Sequence, residues 1–378
     1  MKHYIYADNA ATTKLDTEAF ESMLPWLKEE YGNASQPYSF ARKPKRAIAE
    51  ARATIAACIN ALPEEIYFTS GGTESDNWAI KGAAFSDEKK GAIITSLIEH
   101  PAVLNACKRL DMLGFQIKYL TPDSMGLVEP KCLERAMLGN NVRLVSVMLA
   151  NNEIGTIEPI AELAAIAHSH GALFHTDAVQ AVGHIPIDVK ASDVDMLSAS
   201  AHKFNGPKGI GFLYIKKGID IIPFCDGGSQ EAKMRAGTEN VAAIVGMATA
   251  LKNNCRAIQE NSDHIRSIEE TLIAALQEKA IDFVRNGADN RIPGNVSLSF
   301  KGADGEGLLH RLDLMGICVS TGSACDSKNP QISHVLKAIA LDEDYARGTI
   351  RISLCKYNTL SDAERIAAAL CKILAREN

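Results

Sequence analysis

The sequence has 378 residues, of which 46% are hydrophobic and 23% are charged, and its formal net charge is -6. These values are typical of a soluble globular protein with two or three domains. No block of like charge favours nucleic acid or an anionic membrane as a partner. No apolar run approaches the roughly 18 residues of a membrane span, and the N-terminus lacks a signal-peptide pattern.

The nine cysteines are scattered along the chain and their number is odd. Without a secretory signal, this pattern favours a reduced, cytoplasmic compartment over a disulfide framework. The sequence holds no CxxC or HExxH motif and no close Cys/His cluster. We therefore expect no metal site.

Short apolar runs alternate with amphipathic stretches in the first part of the chain. The runs predict strands at residues 65–70, 92–96, 115–120, 142–149, 172–177 and 194–200. The amphipathic stretches predict helices at residues 74–85, 101–114 and 159–171, and Pro159 and Gly171 mark the ends of the last one. This alternation predicts an α/β fold with a mostly parallel sheet covered by helices on both faces.

The last part of the chain predicts a smaller α+β unit. Residues 241–279 predict a long helical stretch that breaks near residues 253–262. Strands are predicted at residues 294–300, 316–320 and 348–354, and helices at residues 306–316 and 361–377. We expect a large domain over residues 15–255 and a small domain formed by residues 1–14 and 256–378.

The stretch TSGGTESDN, residues 69–77, predicts a strand that turns through glycines into a helix. Gly71 and Gly72 let the backbone approach a ligand, the first N–H groups of the helix favour an anion, and Thr73 adds a hydroxyl. The motif is neither GxxxxGK[ST] nor GxGxxG, which disfavours ATP and dinucleotides. Alone, it fits a phosphate site or a purely structural turn.

Two further motifs place charged side chains after predicted strands. In HTDAVQ, Asp177 ends a strand and Gln180 follows three residues later, so both can face one site if a helix begins here. Asp177 also fits a simple helix N-cap. In SASAHKFNGPKG, Lys203 follows a strand and precedes a Gly/Pro turn, where a lysine can bind a carbonyl covalently or be solvated.

The order of these motifs favours pyridoxal phosphate as cofactor. The glycine turn would take the phosphate, Asp177 would keep the pyridine nitrogen protonated, and Lys203 would bind the aldehyde. His100, which begins a helix in SLIEHPAV, would lie over the ring or move a proton. Asn152, in ANNEIG, would reach the ring hydroxyl or a substrate carboxylate.

At this point the sequence resembles the cysteine desulfurases of the NifS and IscS type, in the class V aminotransferase family of fold-type I pyridoxal phosphate enzymes. Ten motifs in order, spread over essentially the whole chain, carry the resemblance: YADNAATT, YGNAS, FTSGGTESDN, EH, NNEIG, HTDAVQ, SAHKFNGPKGIG, RAGTEN, STGSAC and IRISL. The resemblance implies a large domain with a seven-stranded, mostly parallel sheet and a cytoplasmic homodimer.

The resemblance also implies a role for each matching residue. The residues implied to bind the cofactor are Gly72, Thr73, His100, Asn152, Asp177, Gln180, Ser200, His202, Lys203 and Thr238. Lys203 would hold the aldehyde, and Thr238 would reach the phosphate bound by the other subunit. Asn152 and Arg351 would bind the substrate carboxylate, for which the planar fork of arginine is suited.

Cys325 lies in STGSACDSKNP, a Ser/Gly-rich stretch in which a cysteine is not expected for packing. The resemblance implies that its thiolate takes the sulfur of L-cysteine, which leaves L-alanine and a persulfide on Cys325. No Lys or Arg is adjacent to Cys325, so we assign removal of its proton to a group in the site, His100. The long loop from Ser320 to Ser333 resembles the group that passes sulfur to iron–sulfur scaffold and tRNA-modifying proteins.

Three positions depart from the family pattern: Ala34 and Tyr38 in YGNASQPYSFAR, and Cys355 after IRISL. They leave the cofactor motifs intact and affect the entrance and the partner surface. Two alternative functions stay open. One is a selenocysteine lyase or another class V aminotransferase, and the other is a non-catalytic sulfur-assembly scaffold.

Overall fold

The computed structural model describes residues 4–87, 90–322 and 332–375. The strands, in chain order, are β1 Ile5–Tyr6, β2 Ile66–Thr69, β3 Ala92–Ser96, β4 Ile117–Leu120, β5 Val142–Ser146, β6 Leu173–Asp177, β7 Met196–Ser200, β8 Gly211–Ile215, β9 Phe283–Arg285, β10 Asn295–Phe300, β11 Ile317–Cys318 and β12 Thr349–Ser353.

The helices, in chain order, are α1 Thr17–Lys28, α2 Arg42–Cys58, α3 Gly72–Phe85, α4 Pro101–Met112, α5 Pro130–Met137, α6 Ile160–Ser169, α7 Val241–Arg256, α8 Ile258–Glu278, α9 Gly305–Leu314, α10 His334–Ala338, α11 Glu343–Ala346 and α12 Leu360–Leu374. In the part of the chain that the structure describes, no helix is long and apolar enough to cross a bilayer.

The main sheet has seven strands in the order β2-β8-β7-β6-β5-β3-β4. Only β8 runs against its neighbours, because it pairs antiparallel with both β2 and β7 while the other pairs are parallel. The predicted α/β class with a seven-stranded, mostly parallel sheet is confirmed. Since the carboxyl ends of parallel strands meet at one edge, the loops after β2, β3, β5, β6 and β7 come together there.

Two small sheets complete the fold. β12, β10 and β9 form an antiparallel sheet, and β1 pairs in parallel with β11, which joins the N-terminus to the last part of the chain. The predicted break near residues 253–262 is confirmed, because α7 ends at Arg256 and α8 begins at Ile258. The division of the chain at residue 255 stays a prediction.

Separate apolar clusters stabilise the parts of the fold. One cluster lies around α2, α6, α7 and the main sheet, and another packs α3 and α4 against the sheet, with Trp78 and Cys107 at its centre. A third joins α8, α9 and α12 to β10 and β12. Burial of apolar surface contributes roughly 25 cal/mol for each Å², so these clusters stabilise the packing of the helices on the sheets. That packing holds the strands, and therefore their ends, in place.

The turn before α7 has an unusual backbone. Glu231, Ala232 and Lys233 all have positive φ angles, of 44°, 55° and 69°, which non-glycine residues rarely adopt. The Glu231 carboxylate stabilises this turn, because Arg52 of α2 donates two hydrogen bonds of 2.7 Å to it and the Phe68 N–H donates a third of 2.9 Å. This ion pair links α2, β2 and the turn.

Replacing Glu231 by Gln is therefore expected to lower the free energy of unfolding by about 3 kcal/mol, because Arg52 loses its partner at a largely buried site. Urea unfolding followed by circular dichroism measures the loss. Glu343→Gln is the matched control, since that carboxylate forms an exposed pair with Arg347 and its loss should cost less than about 0.5 kcal/mol. Equal effects of the two substitutions would contradict this account.

Candidate functional site

A cavity of about 780 Å³ opens at the carboxyl edge of the main sheet. Ten of the residues singled out in the sequence line it: Gly72, Thr73, His100, Asn152, Asp177, Gln180, Ser200, His202, Lys203 and Arg351. These residues come from five strand ends of the main sheet and from β12 of the small sheet. Their convergence is a direct consequence of the parallel strand order.

Lys203 is the last residue of the 3-10 turn Ala201–Lys203 after β7 and directs its amine into the cavity. Its Nζ donates hydrogen bonds to the carbonyl oxygens of Ala10 at 2.5 Å and Ala11 at 2.9 Å. Burial lowers the pKa of Lys203 to about 8, the charge of Arg351 acts in the same direction, and that of Asp177 opposes them. A substantial fraction of the amine is thus neutral near pH 8, as nucleophilic attack on an aldehyde requires.

Asp177 ends β6, is buried and lines the cavity. Its Oδ1 accepts a hydrogen bond of 2.9 Å from the Val179 N–H. Burial raises the pKa of Asp177, while the charges of His100 and Lys203 and the Val179 hydrogen bond oppose that rise. A buried carboxylate in this position is stabilised by a cationic or N–H-bearing group placed in the cavity.

Close backbone approach shapes the cavity where α3 begins. Gly71 has a φ of 148°, a conformation that L side chains rarely adopt. A Cβ on Gly72 would lie 2.5 Å from Val179 Cγ2, so only glycine fits at the first residue of α3. Thr73 and Ser200 line the same end beside the first N–H groups of α3. Free N–H groups, two hydroxyls and the helix dipole form a site suited to a phosphate.

His202 lies at the same end. Its Nδ1 forms a hydrogen bond of 3.2 Å with Thr12 Oγ1. Burial lowers the pKa of His202 to about 4, with the charges of Lys203 and Lys208 acting in the same direction. The ring is therefore neutral at physiological pH and contributes hydrogen bonds rather than charge.

His100 is the N-cap of α4, and Pro101 occupies the first helical position. The ring Nδ1 accepts a hydrogen bond of 3.1 Å from the Ala102 N–H, so the neutral ring carries its proton on Nε2. Burial lowers the pKa of His100, which the charge of Asp177 opposes. In this state His100 can donate a hydrogen bond from Nε2, and taking up a proton at Nδ1 requires loss of the Ala102 hydrogen bond.

Arg351 on β12 brings a positive charge to the cavity. Its guanidinium donates to the Asn152 carbonyl oxygen at 3.0 Å and to Asp8 Oδ1 at 2.8 Å. Its Nε is buried and has no partner among the described residues. An orphaned donor of this kind fits a carboxylate ligand that binds the Nε edge of the fork. Asn152 thus positions Arg351 through its backbone carbonyl.

Three further site residues were predicted from the sequence: Gln180, Thr238 and Cys325. Gln180 Nε2 donates to the Ala10 carbonyl at 3.0 Å, which places its side chain beside Lys203. Thr238 is exposed and is not among the residues that line the cavity. Cys325 lies outside the described residues, but Gly322 and Ser333, on either side of it in the chain, both line the cavity.

Taken together, these side chains fit pyridoxal phosphate. A partly neutral lysine suits an aldehyde, a buried carboxylate suits a pyridinium, and the N-terminus of α3 suits a phosphate. Each group lies at a different part of one cavity, whose volume of about 780 Å³ is in the range of cofactor sites.

Known proteins share this architecture along their whole length. The aminotransferase class-V family profile matches residues 5–366. The cysteine desulfurase IscS of Dictyoglomus turgidum is 48% identical over 378 residues, which are 100% of this chain and 96% of that protein. The structure of a NifS-like protein has a TM-score of 0.93 and 38% identity, covering 99% of this chain and 100% of that one. A structure of SspA in complex with cysteine has a TM-score of 0.84 and 38% identity, covering 94% of this chain and 100% of that one.

The chain belongs to the class-V aminotransferase family. Within that family it is similar to cysteine desulfurases, so the resemblance carried by the ten sequence motifs is confirmed. The roles of individual residues stay predictions.

Three acidic residues of the site were not predicted from the sequence: Asp8, Asp76 and Glu153. Each lies inside a motif that was quoted, in YADNAATT, TESDN and NNEIG. Asp8 holds Arg351, and the other two line the cavity. The motifs marked their positions, but their partners are too distant in sequence for spacing to reveal them.

Asp76 lies on the buried face of α3 near Asp177. Burial and the charge of Asp177 raise its pKa well above the ordinary value. His175 Nε2 lies 3.8 Å from Asp76 Oδ1, but burial lowers the pKa of His175 to about 3, so the two do not form an ion pair. The larger rise at Asp76 favours its protonated form and leaves Asp177 as the more readily ionised carboxylate of the pair.

Glu153 connects three segments at the cavity wall. Its Oε2 accepts a hydrogen bond of 2.5 Å from Ser333 Oγ, and a Cβ on Gly322 would lie 2.5 Å from the same oxygen. Burial raises the pKa of Glu153 to about 7, while the Ser333 hydrogen bond and the charge of Arg351 oppose the rise.

This shift predicts a pH-dependent effect of Glu153→Gln on stability. The unfolded chain loses the Glu153 proton near the ordinary value of 4.5 and the folded chain only near 7, so the folded wild type loses stability as pH rises through that window. Gln does not titrate, so the stability of the variant relative to wild type should increase between about pH 4 and about pH 8. Urea unfolding at each pH measures this difference. A difference that does not vary with pH would contradict the assignment, and Glu343→Gln is the exposed control.

Proposed function

We propose that this protein is a cysteine desulfurase that uses pyridoxal 5'-phosphate to transfer the sulfur of L-cysteine to Cys325. One observation carries the proposal: Lys203, Asp177 and Arg351 meet in one cavity of a chain that is similar over its full length to cysteine desulfurases. The first two suit the cofactor, and the third suits the carboxylate of an amino acid.

In this proposal Lys203 holds the aldehyde, Asp177 the ring nitrogen and Gln180 the ring hydroxyl. The phosphate is held by Gly72, Thr73, Ser200 and His202, and His100 lies over the ring. When bound, the cofactor supplies an electron sink that makes the Cα–H and Cβ–S bonds of the substrate breakable. The Asp177 charge favours that sink, since a negative carboxylate keeps the ring nitrogen protonated.

Proton transfer falls to Lys203 and His100. The Lys203 amine, with its pKa near 8, can accept a proton at Nζ and return it near neutral pH. The carbonyl oxygens of Ala10 and Ala11 orient that amine. His100 can donate a hydrogen bond from Nε2 without disturbing α4, whereas our assignment of His100 as the base for the Cys325 thiol needs Nδ1 to release the Ala102 N–H.

Sulfur transfer needs the Cys325 thiolate close to the substrate. Cys325 is about three residues beyond Gly322 of the cavity wall, a span of at most about 10 Å of chain. In the step, the Cβ–S bond of L-cysteine breaks and an S–S bond to Cys325 forms. The Cys325 thiol proton passes to the site, and the products are L-alanine and a persulfide. The net change is L-cysteine plus Cys325 thiol to L-alanine plus Cys325 persulfide.

The proposal also includes a homodimeric assembly and a protein that accepts the sulfur. Thr238 is exposed, in keeping with its predicted role at the phosphate of a second subunit in a homodimer. The persulfide would then pass to an iron–sulfur scaffold or a tRNA-modifying protein. A cytoplasmic location remains a prediction from the cysteine pattern.

Two substitutions test the reaction. Cys325→Ala should keep the yellow cofactor absorbance but lose alanine and persulfide formation from L-cysteine, whereas Lys203→Ala should lose the absorbance band. Alanine analysis and mass spectrometry of the trapped thiol adduct provide the measurements. Unchanged activity of Cys325→Ala would favour an aminotransferase, selenocysteine as the preferred substrate would favour a lyase, and no absorbance in the wild type would favour a non-catalytic scaffold.

Substrate binding can be tested through Asp8. Because Asp8 accepts from one N–H of Arg351 and fixes the fork, Asp8→Asn should raise KM for L-cysteine about tenfold, with a smaller change in kcat and unchanged cofactor absorbance. Arg351→Lys is the matched comparison, since it keeps the charge but not the fork, and should raise KM further. An unchanged KM for Asp8→Asn would contradict this role.

A further inference from the structure

The backbone turn that carries Lys203 is held by hydrogen bonds from four other segments of the chain. We call residues 202–205 the lysine turn. Its four consecutive carbonyl oxygens accept, in chain order, from the Thr13 N–H at 2.9 Å, His184 Nε2 at 2.9 Å, Asn254 Nδ2 at 2.6 Å and the Asp16 N–H at 2.9 Å. Asn205, the last residue of the turn, has a φ of 64°, in the left-handed region that favours glycine. The four contacts stabilise this unusual backbone and thereby fix the position of Lys203.

Lys356 contacts two of these four donor residues. Its Nζ donates a hydrogen bond of 3.1 Å to Asn254 Oδ1 and lies 3.5 Å from Asp16 Oδ2. The Asn254 amide thus joins Lys356 on its oxygen side to the Phe204 carbonyl on its nitrogen side. The side chains of Lys356 and Asp16 are only 19% and 13% exposed, so solvent and salt screen their attraction less than that of a surface pair.

Lys356 belongs to the segment that also carries Arg351. It follows the end of β12, the strand of Arg351, by three residues. The segment between them is fixed, because the Leu354 N–H donates to the Gly294 carbonyl at 2.9 Å and because Leu354 and Cys355 are buried. Lys356 therefore connects the strand of Arg351 to the lysine turn.

We propose that Lys356 is a positioning residue, which sets the spacing between Arg351 and Lys203. It acts through Asn254 and Asp16, since it does not itself line the cavity. The inference rests on the proposed function, in which Arg351 binds the carboxylate of L-cysteine and Lys203 holds the cofactor. Both groups must meet one bound substrate, so an error in their spacing misplaces the reacting bonds and slows the chemical step.

Replacing Lys356 by Met tests the proposal in the cofactor-loaded enzyme, because Met is apolar and loses both polar contacts. The kcat for alanine formation from L-cysteine, counted per cofactor-loaded site, should fall about tenfold, while KM should change less than about twofold. Lys356→Arg keeps the charge and the donors and should recover most of the loss. A role in stability alone would lower Tm and leave kcat per loaded site unchanged.

Hydrogen exchange followed by mass spectrometry gives a readout that does not depend on activity. Two N–H groups report on the lysine turn, since Asn205 donates to Thr13 Oγ1 at 2.8 Å and Gly206 donates to the Ala201 carbonyl at 2.8 Å. In Lys356→Met, the peptide that covers the turn should exchange at least about threefold faster than in the wild type, because the turn opens more often.

Lys14→Met is the matched control. The amines of Lys14 and Lys356 lie over the same Tyr357 ring, at 5.5 Å and 5.4 Å from its centroid. Lys14 is exposed, and in the described structure no hydrogen bond joins its amine to Asn254 or Asp16. Its replacement should leave both kcat and the exchange of the turn unchanged.

The proposal requires a lower kcat and faster exchange in Lys356→Met together with recovery in Lys356→Arg, and the absence of any one of these results overturns it. Should Lys356→Met fail to fold, Asn254→Asp takes its place, because it keeps an oxygen for Lys356 but loses the donor to the Phe204 carbonyl. It should show the same fall in kcat and the same faster exchange. A wild type that makes no alanine from L-cysteine overturns the proposed function instead, and the exchange measurement then decides whether Lys356 holds the turn.

Discussion

Burial of the Lys203 amine and the Asp177 carboxylate in one cavity is the constraint on which the site depends. Each group is costly to bury alone, and burial shifts their pKa values in opposite directions, Lys203 downwards and Asp177 upwards. The attraction between the two groups offsets part of this cost. A cofactor that forms a covalent bond with Lys203 and donates a hydrogen bond from its protonated ring nitrogen to Asp177 would offset more. The parallel strand order makes the meeting possible, because β6 and β7 are neighbours and end at the same edge.

Other side chains hold the reacting groups of the site in place and take no part in the reaction themselves. Asp8, from the N-terminal segment, holds Arg351 of the small sheet, and Glu153 connects the loop after β5 to Ser333. The raised pKa of Asp76 favours its protonated form next to Asp177, so the negative charge of this pair lies on Asp177. Such contacts place the reacting groups within the tolerance that catalysis needs, and they explain why the site combines distant parts of the chain.

The sequence allowed much of this arrangement to be predicted, since strand ends, glycine turns and the order of motifs are local signals. Asp177 ends and Lys203 follows a strand that a short apolar run predicts. The helices α1 and α2 and the antiparallel strand β8 were not predicted, because they lie outside the regular βα alternation that the local patterns indicate. Contacts such as Arg351 with Asp8 depend on how β1 and β12 are brought together, which no local pattern records.

The most direct measurement of the central claim is reduction of the purified enzyme with sodium borohydride, followed by digestion and mass spectrometry of its peptides. Borohydride fixes the cofactor to the lysine that holds it. The account predicts that the added mass is found on Lys203. In the Asp177→Asn variant, the ring nitrogen of the cofactor lacks a charged partner, so the cofactor is retained poorly and the added mass is lost from that peptide. Cofactor fixed to another lysine, or no fixed cofactor at all, would contradict it.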